Sequence, residues 1–280
     1  MPAELENQMT NIFIEGMQGS GKTTLMRSLY EKLNGYHMYL EGDISPVELS
    51  WCSYMTEEEY QQALAAFPDL APEIEKYTVK EESHFITAYT RIITDAKGFH
   101  QYMEQYEIYG GRRSFDEFKN VIFSRLENFH GTGNLFECSF FQNIIEELML
   151  YYCKSEEEIL DFYRELFTVI KEKSFKLLYL RSDNIEDDVL RIKKERADEN
   201  GVEMWFPLMM KYLNASPYGK KCEFVDMSHM VAHFRRRMNL ELRIMKEILG
   251  EHSIILPSKA YDIEGVVKGI GNDITHSKTL

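Results

Sequence analysis

Residues 16–23 read Gly16-Met17-Gln18-Gly19-Ser20-Gly21-Lys22-Thr23, a full match to G-x-x-x-x-G-K-[ST]. That spacing suits one task, the holding of a polyphosphate. Glycines let the chain turn so that successive backbone N–H groups point inward, and a following helix adds the partial positive charge of its N-terminus. Lys22 has the reach for β- and γ-phosphates, and the Thr23 hydroxyl can ligate Mg²⁺. Gly16, Gln18, Gly19, Ser20, Gly21 and Thr24 complete the cradle. The flanks agree with this reading, since the apolar run NIFIE precedes the loop and TTLMRSLYEKL, a helix pattern, follows it. The cofactors expected are ATP and Mg²⁺, and the first partner is a nucleoside triphosphate.

The elements that must position this loop can be read from the apolar runs. NIFIE (11–15), NLFE (134–137), FKLLYL (175–180) and SIIL (253–256) look like buried strands, with YHMYLE (36–41) as a fifth. Continuous apolar runs separated by helical segments predict βαβ units and a parallel sheet covered on both faces. SEEEILDFYRELFTVIKEK carries Ile159, Leu160, Phe162, Tyr163, Leu166, Phe167 and Ile170 at helical spacing, and Ser155 with Glu158 forms a capping-box start. FFQNIIEELMLYY repeats the pattern. The stretch between Glu41 and Asn134 shows no convincing strand and is too long for an ordinary crossover, so it reads as an inserted helical lobe at about 42–130. The tail from about Gly271 is polar and reads as loose.

Composition narrows the partners. The 280-residue chain is 44% hydrophobic and 13% aromatic, enough for a sizeable core. A formal net charge of −14 disfavours broad binding to nucleic acid or to an anionic membrane. Any anionic ligand must be gripped by a few local cations. Cys52, Cys138, Cys153 and Cys222 form no CxxC or Cys/His pattern and read as reduced thiols. MPAELENQM lacks the layout of a signal peptide, and no apolar run approaches the roughly 18 residues of a membrane span. A soluble, cytoplasmic protein is expected. No oligomeric state is legible, and a homodimer stays open.

Further motifs separate classes of phosphate-loop protein. The N-K-x-D element of GTPases and the LSGGQ-like signature of ABC ATPases are both absent. YLRSDNIEDDVLRIKKERADENG (179–201) instead pairs a strand with a polar turn and a helix dense in cations, among them Arg191, Lys193, Lys194 and Arg196. Arg191 and Arg196 suit a lid over a transferring phosphoryl group, because a guanidinium binds two phosphate oxygens at once. The competing reading is a solvated helix salt-bridged to its own carboxylates. Gln142 and Asn143 can hydrogen-bond a base or sugar, or cap a helix. Arg112 and Arg113, after two glycines, and Lys220 and Lys221 in SPYGKK are candidate substrate cations or plain surface pairs. Trp51, Tyr54 and Phe85 offer a stacking wall or core aromatics. HFRRRMNLELRIMKEI reads as an amphipathic scaffold helix with Phe234, Met238, Leu242 and Met245 inward. PSKAYD (257–262) follows the last strand, and its resemblance to the segment where P-loop kinases contact adenine implies cofactor contacts at residues 258–261.

Taken together, IEGMQGSGKTTL, a second strand ending in Glu41, FECSFFQN and YLRSDN…RIKKERADE resemble the deoxynucleoside kinase and thymidylate kinase group. The elements YLEGD, SPYGK and QN-x-I-x-EL are also similar to a set of uncharacterised bacterial P-loop proteins. The resemblance implies a three-layer α/β P-loop fold with about five parallel strands, an inserted helical substrate lobe at 42–130 and a lid at 181–201. It implies that Glu41 accepts the proton of an acceptor hydroxyl, a role for which Asp43 competes. A group at the carboxyl end of a parallel strand lies in the ligand crevice, which agrees with that implication. Glu137 would join Thr23 at the metal or orient the substrate. Cys138 stands where the group has Arg, which leaves the acceptor pocket unread. The function expected is ATP-dependent phosphorylation of a small molecule, with a nucleoside or nucleotide as leading acceptor and an antibiotic or other hydroxylated metabolite also open. The rival from another class is a nucleotide-dependent switch with a protein partner. A polynucleotide-end kinase is disfavoured by charge.

Overall fold

The computed structural model describes residues 9–276, with the side chains of the last six of these left aside. The first eight residues and the end of the tail from 277 onward lie outside the described residues, while the start of the tail, expected to be loose, continues the helix Ile263–His276. The chain forms two compact units, Met1–Met38 with His130–Leu280, and Tyr39–Phe129.

The first unit is built on a five-stranded sheet. Its strands are β1 (Asn11–Gly16), β2 (His37–Tyr39), β6 (Asn134–Glu137), β7 (Phe175–Arg181) and β8 (Ser253–Pro257), in the order β2-β6-β1-β7-β8. β1 runs parallel to both β6 and β7, and β7 runs parallel to β8. All six residues of β1 are buried, as are all four of β6, which explains why their sequences read as unbroken apolar runs. Successive side chains alternate between the two faces. Phe13 on one face meets Phe136, Phe140 and Phe175, and this aromatic layer continues through Phe141, Tyr163 and Tyr179.

The helix Glu156–Ile170 closes that layer. Ser155 and Glu158 form the expected capping box, and Ile159, Leu160, Phe162, Tyr163, Leu166 and Ile170 are buried. Each such side chain contributes about 1.5–3 kcal/mol on leaving water. The Tyr163 hydroxyl, carried inward with its ring, donates to Phe140 O at 2.6 Å. A second long helix, Met227–Ile244, is capped by the Asp226 carboxylate and buries Phe234, Arg237, Leu240, Glu241 and Ile244. Its inward face therefore differs from the one expected. Met238 and Leu242 lie only half-buried, because charged partners within the core draw Arg237 and Glu241 inward.

The unit Tyr39–Phe129 holds a feature that the sequence reading missed. Besides its helices it contains a three-stranded antiparallel sheet of β3 (Ser53–Thr56), β4 (Thr78–Glu81) and β5 (His84–Thr87), in the order β3-β5-β4. The lobe is thus mixed, not purely helical. Each strand has only four residues, too short for a period-two pattern to stand out. Its core gathers Met55, Tyr60, Ile74, Tyr89, Phe99 and Met103. Capping boxes start the helices Glu57–Ala66, at Thr56 and Glu59, and Phe115–Asn128, at Ser114 and Glu117. Among the described residues, no helix is long and apolar enough to cross a membrane.

Candidate functional site: a phosphate loop backed by a buried charge cluster

The loop leaves β1 at Gly16 and enters the helix Lys22–Lys32 through Gly21, whose φ of 97° lies in the left-handed region. No side chain caps this helix, so its first N–H groups face the loop's concavity, the arrangement that receives an anion. Ser20 Oγ is buried and has no partner among the described residues. An orphaned hydroxyl beside uncapped N–H groups fits a polyphosphate oxygen. These residues fit the cofactor expected.

Lys22 is buried, and its Nζ donates to Gly16 O, Met17 O and Gln142 Oε1, each at 3.0 Å. All three ammonium hydrogens are thereby used, and Gln142 is brought to the loop. Thr23 Oγ1 donates to Glu137 at the end of β6. The hydroxyl and the carboxylate form an oxygen pair of the kind Mg²⁺ takes when phosphates and water fill its other positions. No cluster of three or more acidic, His or Cys ligands exists among the described residues, and such a Mg²⁺ site needs none. Asn143 Nδ2 donates to Cys138 O at 3.1 Å, a local cap. Cys138 itself is fully buried with φ 57°.

Glu15, one residue before the loop, is buried inside β1 and accepts from Phe140 N at 2.6 Å and Gln142 N at 3.1 Å. Burial pushes its carboxyl up to about 7, against the pull of those backbone N–H groups. A carboxyl raised in this way stabilises the fold fully below its unfolded value near 4.5, and that stability is lost as pH rises through about 7. Between pH 5 and 8 the urea midpoint is expected to fall, with Glu15 contributing up to about 3 kcal/mol. Glu15→Gln is expected to flatten the profile, and an unchanged slope would refute this assignment.

The helix Ile185–Glu195 packs on the loop through Ile192, part of a cluster with Met17, Val189 and Trp205. A Cβ at Gly19, where φ is 73°, would lie 2.4 Å from Ile192 Cγ1. Gly19→Ala is therefore expected to cost about 1–3 kcal/mol and to weaken nucleotide binding. Gly201→Ala, at φ 77° but in open space, is the control. Equal losses in the two variants would show that backbone strain acts alone. Arg191 pairs with Asp188 at 3.0 Å, and Arg196 ends the same helix in solvent. Lys193 pairs with Glu203 at 3.3 Å and lies over the Phe206 ring. In the stretch after β8, Ser258 Oγ donates to Ser20 O at 2.9 Å and Lys259 borders Gly21, so residues 258–261 begin beside the loop.

Lys220 and Lys221 lie in the last turn of the short helix Pro217–Cys222, and the other candidates lie in the unit Tyr39–Phe129. Asp43 pairs with Arg91 at 2.6 Å and accepts Leu40 N at 2.8 Å. Glu41, expected at the end of the second strand, lies in a turn two residues beyond β2, which stops at Tyr39, and accepts the Trp51 indole N–H at 3.1 Å. Arg112 is held by Glu104, by Glu107 at 3.7 Å and by Tyr109 O. Arg113 donates to Tyr54 O at 2.9 Å. Phe85 stacks on Tyr60 and Tyr54 on His84, while Trp51 is 47% exposed.

Behind the loop lies a cluster that sequence reasoning missed. Arg237, fully buried, donates to Glu146 and to Gln18 Oε1 at 3.1 Å, and its Nε pairs with Glu241 at 3.2 Å. His233 Nε2 lies 2.8 Å from Glu146 Oε2. Burial alone would raise the Glu146 carboxyl, but the His233 and Arg237 charges outweigh it and hold it at about 2. Glu146 is thus an anion, and His233 donates to it. The available signal was small: a Glu inside the apolar NIFIE run, and Arg237 and Glu241 one turn apart on the helical face of Phe234.

No protein-family model matches the sequence, and no curated protein matches it either. The chain is similar in structure to deoxyadenosine kinase from M. mycoides, solved with bound dATP. That likeness covers 95% of this chain and 99% of the other, at 17% identity and a TM-score of 0.35. At that level it says nothing of substrate or residue roles.

Proposed function

We propose that the chain is an ATP- and Mg²⁺-dependent phosphotransferase acting on a small hydroxylated acceptor, with nucleosides and nucleotides the leading class. The observation that carries this reading is the loop at residues 16–23. It joins an uncapped helix N-terminus, an orphaned Ser20 hydroxyl, Lys22, and the Thr23–Glu137 oxygen pair. ATP would supply the transferable phosphoryl group, with Mg²⁺ on Thr23 and Glu137. Lys22 would exchange its bonds to Gly16 O and Met17 O for phosphate oxygens, and Gln142 would follow that movement. Arg191 and Arg196 would balance charge on the transferring group once Arg191 leaves Asp188.

Of the two candidate bases, Glu41 is favoured. Asp43 is already engaged by the Arg91 guanidinium and by Leu40 N, so its oxygens are less available to an acceptor hydroxyl. Glu41 receives the neutral Trp51 N–H. Arg112 is engaged by two carboxylates and has the weakest claim as a substrate cation.

The test is γ-phosphate transfer from ATP with Mg²⁺ across nucleosides, nucleoside monophosphates and hydroxylated antibiotics, using wild type, Lys22→Ala and Glu41→Gln. Product formed by wild type and lost in both variants supports the kinase. Slow hydrolysis unchanged by Glu41→Gln and by every acceptor would overturn it in favour of a nucleotide switch.

A further inference from the structure

The Arg237 cluster has a direction. A guanidinium buried to 1% side-chain exposure carries a large desolvation cost, and a helix that needed only to pack would place an apolar residue there. Here one carboxylate accepts a guanidinium hydrogen bond, and a second stands at ion-pair distance, 3.2 Å from Nε, without a hydrogen bond between them. Glu146 receives Nη1 and is itself held by His233, while Glu241 faces Nε and receives the Tyr179 hydroxyl. The group is thereby fixed in place and orientation. Its remaining Nη2 donates to Gln18 Oε1, 219 positions away in sequence. Gln18 occupies a variable position of the loop motif, where the backbone and not the side chain wraps phosphate. Its amide is the loop's side-chain anchor to this rigid cluster, and the Lys22 anchor to Gln142 stands on the same segment as Glu146.

We propose that Arg237 is a positioning residue of the phosphate loop, acting through Gln18 to hold the loop in the shape that receives a polyphosphate. The proposal rests on the reading of residues 16–23 as a nucleotide site. A planar fork is required for it. Lysine keeps the charge but cannot span Glu146, Glu241 and Gln18 together.

The experiment is a double-mutant cycle on Mg·ATP affinity, measured by calorimetry on the full chain, with urea midpoints recorded in parallel. Gln18→Ala and Arg237→Met are each expected to weaken binding by about tenfold, the scale of one hydrogen bond to a charged group. The double variant is expected to bind no more weakly than Arg237→Met, because the second substitution removes an interaction already lost. Gln18→Ala is expected to lower the urea midpoint far less than Arg237→Met does. Arg237→Lys should recover stability relative to Arg237→Met without recovering affinity. Losses that multiply in the double variant overturn the proposal, since a merely structural arginine acts independently of Gln18. Should Arg237→Met fail to fold, Gln18→Ala decides alone, and wild-type affinity in that variant overturns the proposal. Wild type without affinity for ATP or GTP overturns the reading of the loop, and the positioning role with it.

Discussion

Lys22→Ala is expected to lower phosphoryl transfer by about 10²–10³-fold, the scale seen when one preorganised charge-stabilising donor is removed from an active site. The Lys22 side chain lies along the loop it serves, and its three donors are already aimed at acceptors on the loop and on Gln142. Charge developing on a transferring phosphoryl group would meet an ammonium already held at the loop, once it exchanges its bonds to Gly16 O and Met17 O for phosphate oxygens. The helix keeps most of its buried face in the variant, because Leu25, Met26 and Leu29 lie beside Lys22 in it. The urea midpoint should consequently move far less than the rate. Transfer within threefold of wild type would remove Lys22 from the chemistry.

The largest effect on stability is expected at Glu146. Glu146→Leu should cost about 3–5 kcal/mol, the range for breaking one partner out of a buried ion pair. The loss comes less from the missing attraction than from what stays behind. Arg237 would keep its charge in the core with Glu241 alone, and the His233 N–H would face a methyl group. The measurement is the urea midpoint at constant denaturant slope. A loss under about 1 kcal/mol would mean that water or a shift of the helix Met227–Ile244 compensates the charge.

The parts of this fold that could be read from sequence are those whose signal is local. Strands β1, β6 and most of β7 are buried runs bounded by polar turns; β8, expected as a buried run, buries only Leu256, and β2 covers just His37–Tyr39 inside YHMYLE. Ser155 and Glu158 announce a helix because the capping box lies within four residues. The three strands of the unit Tyr39–Phe129 escaped notice because SYMT, TVKE and HFIT each alternate over only four positions. At the candidate site, the loop motif, Thr23 and Glu137 are legible as residues. Their pairing is not, since it depends on β1 and β6 ending side by side. The Arg237 cluster joins positions 18, 146, 233, 237 and 241, and no local pattern distinguishes a buried arginine in RRR from its two neighbours. Only the helical phase set by Phe234 and Leu240 does so, and charged residues obscured it.

The segment Tyr39–Phe129 departs after β2 and returns before β6, and these strands are neighbours in the sheet. His37 N donates to Gly133 O at 2.8 Å, so the exit and re-entry points are stitched together. A lineage that inherits this arrangement can lengthen, trim or exchange the whole segment without rethreading a strand, because the ends to be joined never move apart. The loop at residues 16–23 and its supporting cluster lie wholly outside that segment. The loop with its supporting cluster and whatever the exchangeable segment contributes can therefore be modified by separate genetic events, one by point substitution and the other by recombination.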